Sequence, residues 1–325
     1  MMFRNLNASF LGITGTQSEI IELVLTYGFD SVDFDVVDFA NRAKLRGIDY
    51  ARRLFDSAKI RVGTFAFPFS WESDEPVFRK EMQRLSEYAH AAAAVGCTRC
   101  LATVAPATNE RPYHENFEFH RTRFAEICEV LQETNTRLGI GYRAAPELRQ
   151  GKSFQFIHEH DALGLLLNMV GATNIGMVLD LWDYVVAGGT VENIGSIPVN
   201  QVVAVQIAEM PTDVPVFDLK ESNRLLPGTS GKPDVGEALR ILHEAGYEGP
   251  VTIKPSKASI DARRRDPIAR NAGLAMNRVW KAAGLPGTQA TAIINAERVR
   301  EERIASQEDR ESESSEVTAA PAASN

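Results

Sequence analysis

Eight short apolar runs, separated by stretches with helical periodicity, are the main constraint on what this chain can fold into. The runs cover residues 9–13, 31–35, 61–67, 99–104, 137–142, 175–180, 202–209 and 250–254. Between them, apolar residues recur at three- and four-residue steps over 18–27, 50–58, 75–95, 117–133, 162–170, 235–245 and 267–283, the spacing of one helix face. The stretch after the sixth run, 191–196, carries the weakest helical pattern. Gly28, Gly96, Gly171 and Gly246 stand where helices should stop, because only glycine enters the left-handed C-cap conformation without steric cost. Alternation of this kind builds a parallel α/β sheet, and eight units predict closure into a (β/α)8 TIM barrel. An open doubly wound sheet competes, but no GxGxxG turn follows the first run.

The pattern stops near residue 285, so the expected organisation is one barrel over 1–285 and a mobile, disordered tail over 286–325. A short helix over 290–310 fits the start of that tail. Beyond it come Glu311-Ser312-Glu313-Ser314-Ser315-Glu316 and an Ala/Pro/Ser end, too polar to pack. The net charge of -8 argues against a nucleic-acid partner, since phosphate grooves need concentrated Lys and Arg. Three cysteines are too few for a disulfide framework and fit a reducing, cytoplasmic setting. No run is long enough to span a bilayer, so no membrane association is expected. A homo-oligomer is left open.

In barrels of this kind, chemistry sits at the carboxyl ends of the strands. Five stretches there are informative: Gly28-Phe29-Asp30-Ser31-Val32-Asp33-Phe34; Leu138-Gly139-Ile140-Gly141; residues 170–180 followed by Trp182-Asp183 and Gly188-Gly189; Leu226-Pro227-Gly228; and residues 246–253. In order and spacing the chain resembles the xylose isomerase-like family of sugar phosphate isomerases and epimerases. The resemblance implies a divalent metal held by Glu, Asp, His and Glu at the ends of strands five to eight. Carried over by position, those places hold Gly141, Asp180, Gln206 and Lys254, of which only Asp180 is a ligand. Strand parity puts Gly141, Asp180, Gln206 and Lys254 on lumen-facing positions, independently of the resemblance.

A cation at Lys254 would repel a metal, so no metal and no other cofactor is expected. Instead, the Lys254 ammonium would occupy the cation's place and pair with Asp180. The functional reading is a metal-independent isomerase or epimerase of a small sugar, polyol or related hydroxy-carbonyl compound. In it Lys254, Asp180 and Glu209 do the proton and charge work. Gln206, Asp183, Trp182, Arg149, Glu147, Phe67, His114 and Arg224 are candidate substrate contacts. The competing reading is a catalytically silent barrel that binds a sugar-like metabolite or a protein partner. A Schiff-base role for Lys254 ranks lower, because Asp180 stabilises the ammonium form. An apurinic-site endonuclease would need a metal cluster and a basic face, and neither is present. Cys97 and Cys100 have CxxC spacing without a second ligand pair and read as buried thiols.

Overall fold

A computed structural model describes residues 1–260, 262–299 and 302. Nine parallel strand segments form the wall: β1 (Phe3–Leu6), β2 (Ser31–Val32), β3 (Arg61–Val62), β4 (Phe65–Ala66), β5 (Arg99–Thr103), β7 (Arg137–Gly141), β9 (Ile175–Asp180), β10 (Val202–Ile207) and β11 (Pro250–Ile253). Two further segments, β6 (Ala107–Thr108) and β8 (Phe154–Gln155), pair antiparallel outside the wall. Along the wall the order is β3-β2-β1-β11-β10-β9-β7-β5-β4. Its two ends belong to one chain segment: β3 pairs with β2 and β4 pairs with β5. The predicted third strand therefore touches both neighbours in turn and closes the ring. This is the TIM barrel expected from eight runs.

The helices around the wall are α1 (Gln17–Thr26), α2 (Val36–Arg46), α3 (Ile48–Ala58), α4 (Glu75–Ala93), α5 (Tyr113–Gln132), α6 (His160–Val170), α7 (Leu181–Val186), α8 (Val235–Glu244) and α9 (Arg265–Ala282). The weak stretch near 191–196 contains only a 3-10 turn, Glu192–Ser196. Two helices bear on the site. Each begins at a capping carboxylate: Asp35, three residues past β2, accepts from the Val37 and Asp38 amides to cap α2, and Asp180, which ends β9, caps α7 through those of Trp182 and Asp183. None of the described helices is long and apolar enough to cross a membrane.

The first strand is a correction. It lies at Phe3–Leu6, not at 9–13. The apolar 9–13 run turns on itself, with Ile13 donating to the Ala8 carbonyl and Gly12 at φ +66°. The true strand hides because polar Asn5 faces the lumen, where it donates to Asp33 (2.8 Å) and Thr252 (2.9 Å). Gly63 makes room for that side chain: a Cβ at 63 would collide with Asn5 Oδ1.

Packed structure continues past 285. Residues 291–299 are helical, and Ile293 is fully buried in the main core. Asn277 Nδ2 and Lys281 Nζ on α9 donate to Glu297 at 2.8 and 2.7 Å. Ile293 and Glu297, four residues apart, share one helix face, which is turned to the core and to α9. Positions 300, 301 and 303–325 of the expected tail, with the rest of the 290–310 helix, lie outside the described residues. Cys97, Cys100 and Cys128 are free and buried. Burial pushes the Cys97 and Cys128 thiols up to about 12.

Candidate active site at the barrel mouth

Asp180 ends β9 with both carboxylate oxygens engaged. Arg224 Nη1 donates to Oδ1 and Oδ2 at 3.0 Å each, and Lys254 Nζ donates to Oδ2 at 2.9 Å. Lys254, immediately after β11, also donates to Gln206 Oε1 on β10 at 2.8 Å. The pairing of Lys254 with Asp180 and the lumen-facing place of Gln206 follow from strand parity, since residues two apart on a strand share a face.

Arg224 comes from the long loop after β10. Glu209 and Leu225 exchange backbone hydrogen bonds as an isolated antiparallel bridge, folding the loop back along the strand end. The Ser256 amide donates to the Arg224 carbonyl, fixing the residue from the β11 side. The side chain is thereby buried at 3% exposure. It spans Asp180, Asp183 and Glu221 and lies 4.4 Å from the centroid of the Trp182 ring. Asp183, on α7, accepts from the Ala144 amide (2.7 Å) through its other oxygen.

The carboxyls of this cluster respond in opposite directions. Burial works against ionisation of Asp180, but Arg224 and Lys254 outweigh it and hold the group below the usual carboxylate range. Burial raises Asp183 to about 6, with Asp180 adding to the shift and Arg224 opposing it. Arg224 itself is raised by Asp180 and Asp183, against burial.

These residues do not suit the divalent metal that the resemblance implies. A metal needs several free anionic or neutral donors. Here both oxygens of Asp180 are taken by cations, and the Lys254 ammonium sits on the ligand side. Among the described residues, no group of three or more His, Cys, Asp or Glu side chains is placed to hold a metal. Steric exclusion is not the reason at Gly141, where an added Cβ would meet only ordinary van der Waals contacts.

The other candidates divide. Trp182 supports Arg224, and Glu147 supports the loop by accepting from the Glu221 amide at 2.9 Å. Arg149 closes a short 3-10 turn after β7, half-buried, with no ion pair among the described residues. His114 was expected in a loop, but it lies exposed in the first turn of α5 and takes no part in the cluster. Glu209 is buried, yet its carboxylate accepts from the backbone amides of Gly228, Thr229, Ser230 and Gly231 and from the Ser230 hydroxyl. Its hydrogen bonds hold the loop and reach neither Lys254 nor Asp180.

Beside the cluster, a cavity of about 840 Å³ opens over β1, β2 and β4. Phe67 lines it and packs on Phe69 with ring centroids 4.5 Å apart. The loop after β1 serves both regions. Asn7 and Ser9 line the cavity, while the Phe10 ring stands 5.5 Å from Lys254 Nζ. Sequence reasoning missed two groups here: Asp33 at the end of β2, facing the cavity, and the Tyr142 hydroxyl, buried without a hydrogen-bond partner among the described residues. Both follow strand ends, which was the available signal.

A curated inosose isomerase from Halalkalibacterium halodurans is 28% identical over 129 residues, covering 40% of this chain and 43% of that protein. The aligned part thus spans less than half of that relative. Among solved structures, a xylose isomerase domain protein from Alicyclobacillus acidocaldarius superposes with a TM-score of 0.78 at 23% identity, covering 87% of this chain and all of that one. D-psicose 3-epimerase from Clostridium cellulolyticum gives a TM-score of 0.65 at 15% identity, over 87% and 99%. At such identities the structural likeness establishes the fold. The sequence profile of the family described as xylose isomerase-like TIM barrel matches residues 21–276, most of the chain, and the protein belongs to that family.

Proposed function

We propose that this barrel takes a small hydroxy-carbonyl compound, of the sugar or polyol-ketone class, at its C-terminal mouth and isomerises it by proton transfer without a divalent metal. Lys254 carries the reading. An ammonium has three donors; two are spent on Asp180 and Gln206, and the side chain keeps 20% exposure at the mouth. A fixed cation facing a carbonyl oxygen stabilises the negative charge that develops when a neighbouring C–H bond is lost. Asp180 orients that cation and favours its charged form, which makes electrostatic assistance a better fit than a Schiff base. Isomerase and epimerase activities in the names of the inosose isomerase and psicose epimerase relatives support the substrate class. The buried free thiols fit a cytoplasmic enzyme.

A second reading is a binding barrel without turnover. The closed Asp180, Arg224 and Asp183 network favours it, since it ties up the carboxylates nearest Lys254. The test is thermal unfolding against ketoses, sugar phosphates and inosose-type ketones, followed by turnover assays on every stabilising compound. A ligand binding only the folded state raises Tm. The isomerase reading expects a stabilising ketose that is also converted, with kcat reduced about 100-fold or more in Lys254→Met. Stabilisation with no conversion by the wild type selects the binding barrel.

A further inference from the structure

Asp33, half-buried at the end of β2, differs from the buried carboxylates near the mouth. Asp180 and Asp183 face Arg224, and Glu209 has four backbone amides and a hydroxyl. Asp33 has three neutral donors: Asn5 Nδ2 and the Thr64 amide on Oδ1, both at 2.8 Å, and Asn7 Nδ2 on Oδ2 at 2.9 Å. No ion pair reaches it among the described residues. Each carboxylate oxygen accepts two hydrogen bonds, so Oδ2 retains an acceptor position.

Asp33 lines the cavity. The other charged groups there are otherwise engaged or solvated: Asp35 caps α2, Asp38 pairs with Arg42 at 3.0 Å, and Lys257 is exposed. Burial pushes the Asp33 carboxyl up, opposed by the donors from Asn5, Asn7 and Thr64. A base gains strength as its pKa approaches the working pH.

Asp33 also shares the lumen with Lys254. Asn5 Nδ2 donates both to Asp33 and to Thr252 Oγ1 on β11, and Lys254 lies two residues beyond Thr252 on the same face. β2 and β11 are separated by β1 alone, about 10 Å across the sheet. Both side chains are directed into the one lumen, and the β1 loop whose Asn7 and Ser9 line the cavity also carries Phe10, 5.5 Å from Lys254 Nζ.

We propose that Asp33 is the proton-transferring base of the isomerisation assigned above, and that its substrate is an α-hydroxyketone or the isomeric hydroxyaldehyde undergoing a same-face 1,2-shift. The inference rests on that functional reading. Asp33 takes the proton from the hydroxyl-bearing carbon beside the carbonyl. The C–H pair becomes the C=C bond of an enediolate, and the carbonyl pair moves to its oxygen, facing Lys254. The hydroxyl proton passes between the two oxygens, and Asp33 returns its proton to the former carbonyl carbon. Asp33 ends as a carboxylate, and no oxidant, reductant or co-reactant is consumed. One unpaired carboxylate on one side of the substrate suits a 1,2-shift, whereas inversion of a centre needs proton donors on opposite faces.

The experiment uses the full chain with D-fructose, D-psicose, D-tagatose and 2-keto-myo-inositol in D2O, followed by proton NMR. Wild type should exchange the C–H beside the carbonyl and form the shifted isomer. Asp33→Asn should lose kcat about 100-fold or more, with KM within about threefold and ketose stabilisation retained. Should Asp33→Asn fail to fold, wild type acting on ketose deuterated at that carbon tests the same-face shift: part of the label should appear on the neighbouring carbon, and none there overturns the proposal. Asp33→Asn within about tenfold of wild type, or a product inverted at the centre with its carbonyl unmoved, overturns the assignment to Asp33 and leaves the functional reading standing. Absence of exchange and product with every ketose in wild type overturns both.

Discussion

At the scale of single residues, Arg224 sets the electrostatic balance of the mouth. It meets Asp180, Asp183 and Glu221 while almost wholly buried. Removing one partner of a buried ion network strands the remaining charges. Arg224→Met should therefore cost about 3–5 kcal/mol in urea unfolding, and a loss below about 1 kcal/mol would mean the carboxylates find water instead. Asp183 gives a pH signature. Its folded carboxyl, near 6 against an ordinary 3.8, keeps its proton to higher pH than the unfolded chain. Its contribution to stability therefore declines as pH rises from about 4 to about 6. Asp180 behaves oppositely: its contribution is present above the ordinary carboxylate value and lost as pH falls through the folded one. The difference in unfolding free energy between wild type and Asp183→Asn should change across pH 4–6 and be flat above 7. A flat difference throughout would show Asp183 ionised across the range. The Lys254 and Asp180 pair was legible in the sequence because strand parity sets both on one face. Arg224 as the centre of the network was not, because its position depends on the long-range bridge between Glu209 and Leu225.

Elements show a similar division. Helices with a clear apolar face were readable, while α2 and α7 were missed although each has an Asp cap. α7 is six residues long, too short for its periodicity to show. β1 was misplaced because its lumen residue is the polar Asn5, and a search for apolar runs passes over it. Glu209 belongs to this scale. Its carboxylate organises the loop that delivers Arg224, so Glu209→Gln should loosen that loop first. Expected are faster amide exchange at 228–231 and a stability loss of about 1–3 kcal/mol. Unchanged exchange there would show that the bridge to Leu225 holds the loop alone.

For the molecule as a whole, eight runs predicted a closed ring, and the ring is present. What composition did not reveal is how far the packed structure extends. Ile293 is fully buried beyond the expected end of the barrel, so Ile293→Ala should cost about 2–4 kcal/mol, as truncation of a core aliphatic does. A loss under about 0.5 kcal/mol would detach 291–299 from the cooperative unit.

The Thr64 amide, between β3 and β4, is held by the side chain of Asp33. A carboxylate forms the clasp where the circle of strands meets itself, and that same carboxylate faces the cavity. Whatever binds at Asp33 also pulls on the clasp, so an occupied cavity should tighten the rim at the seam and slow amide exchange at Thr64 before it does so elsewhere in the wall.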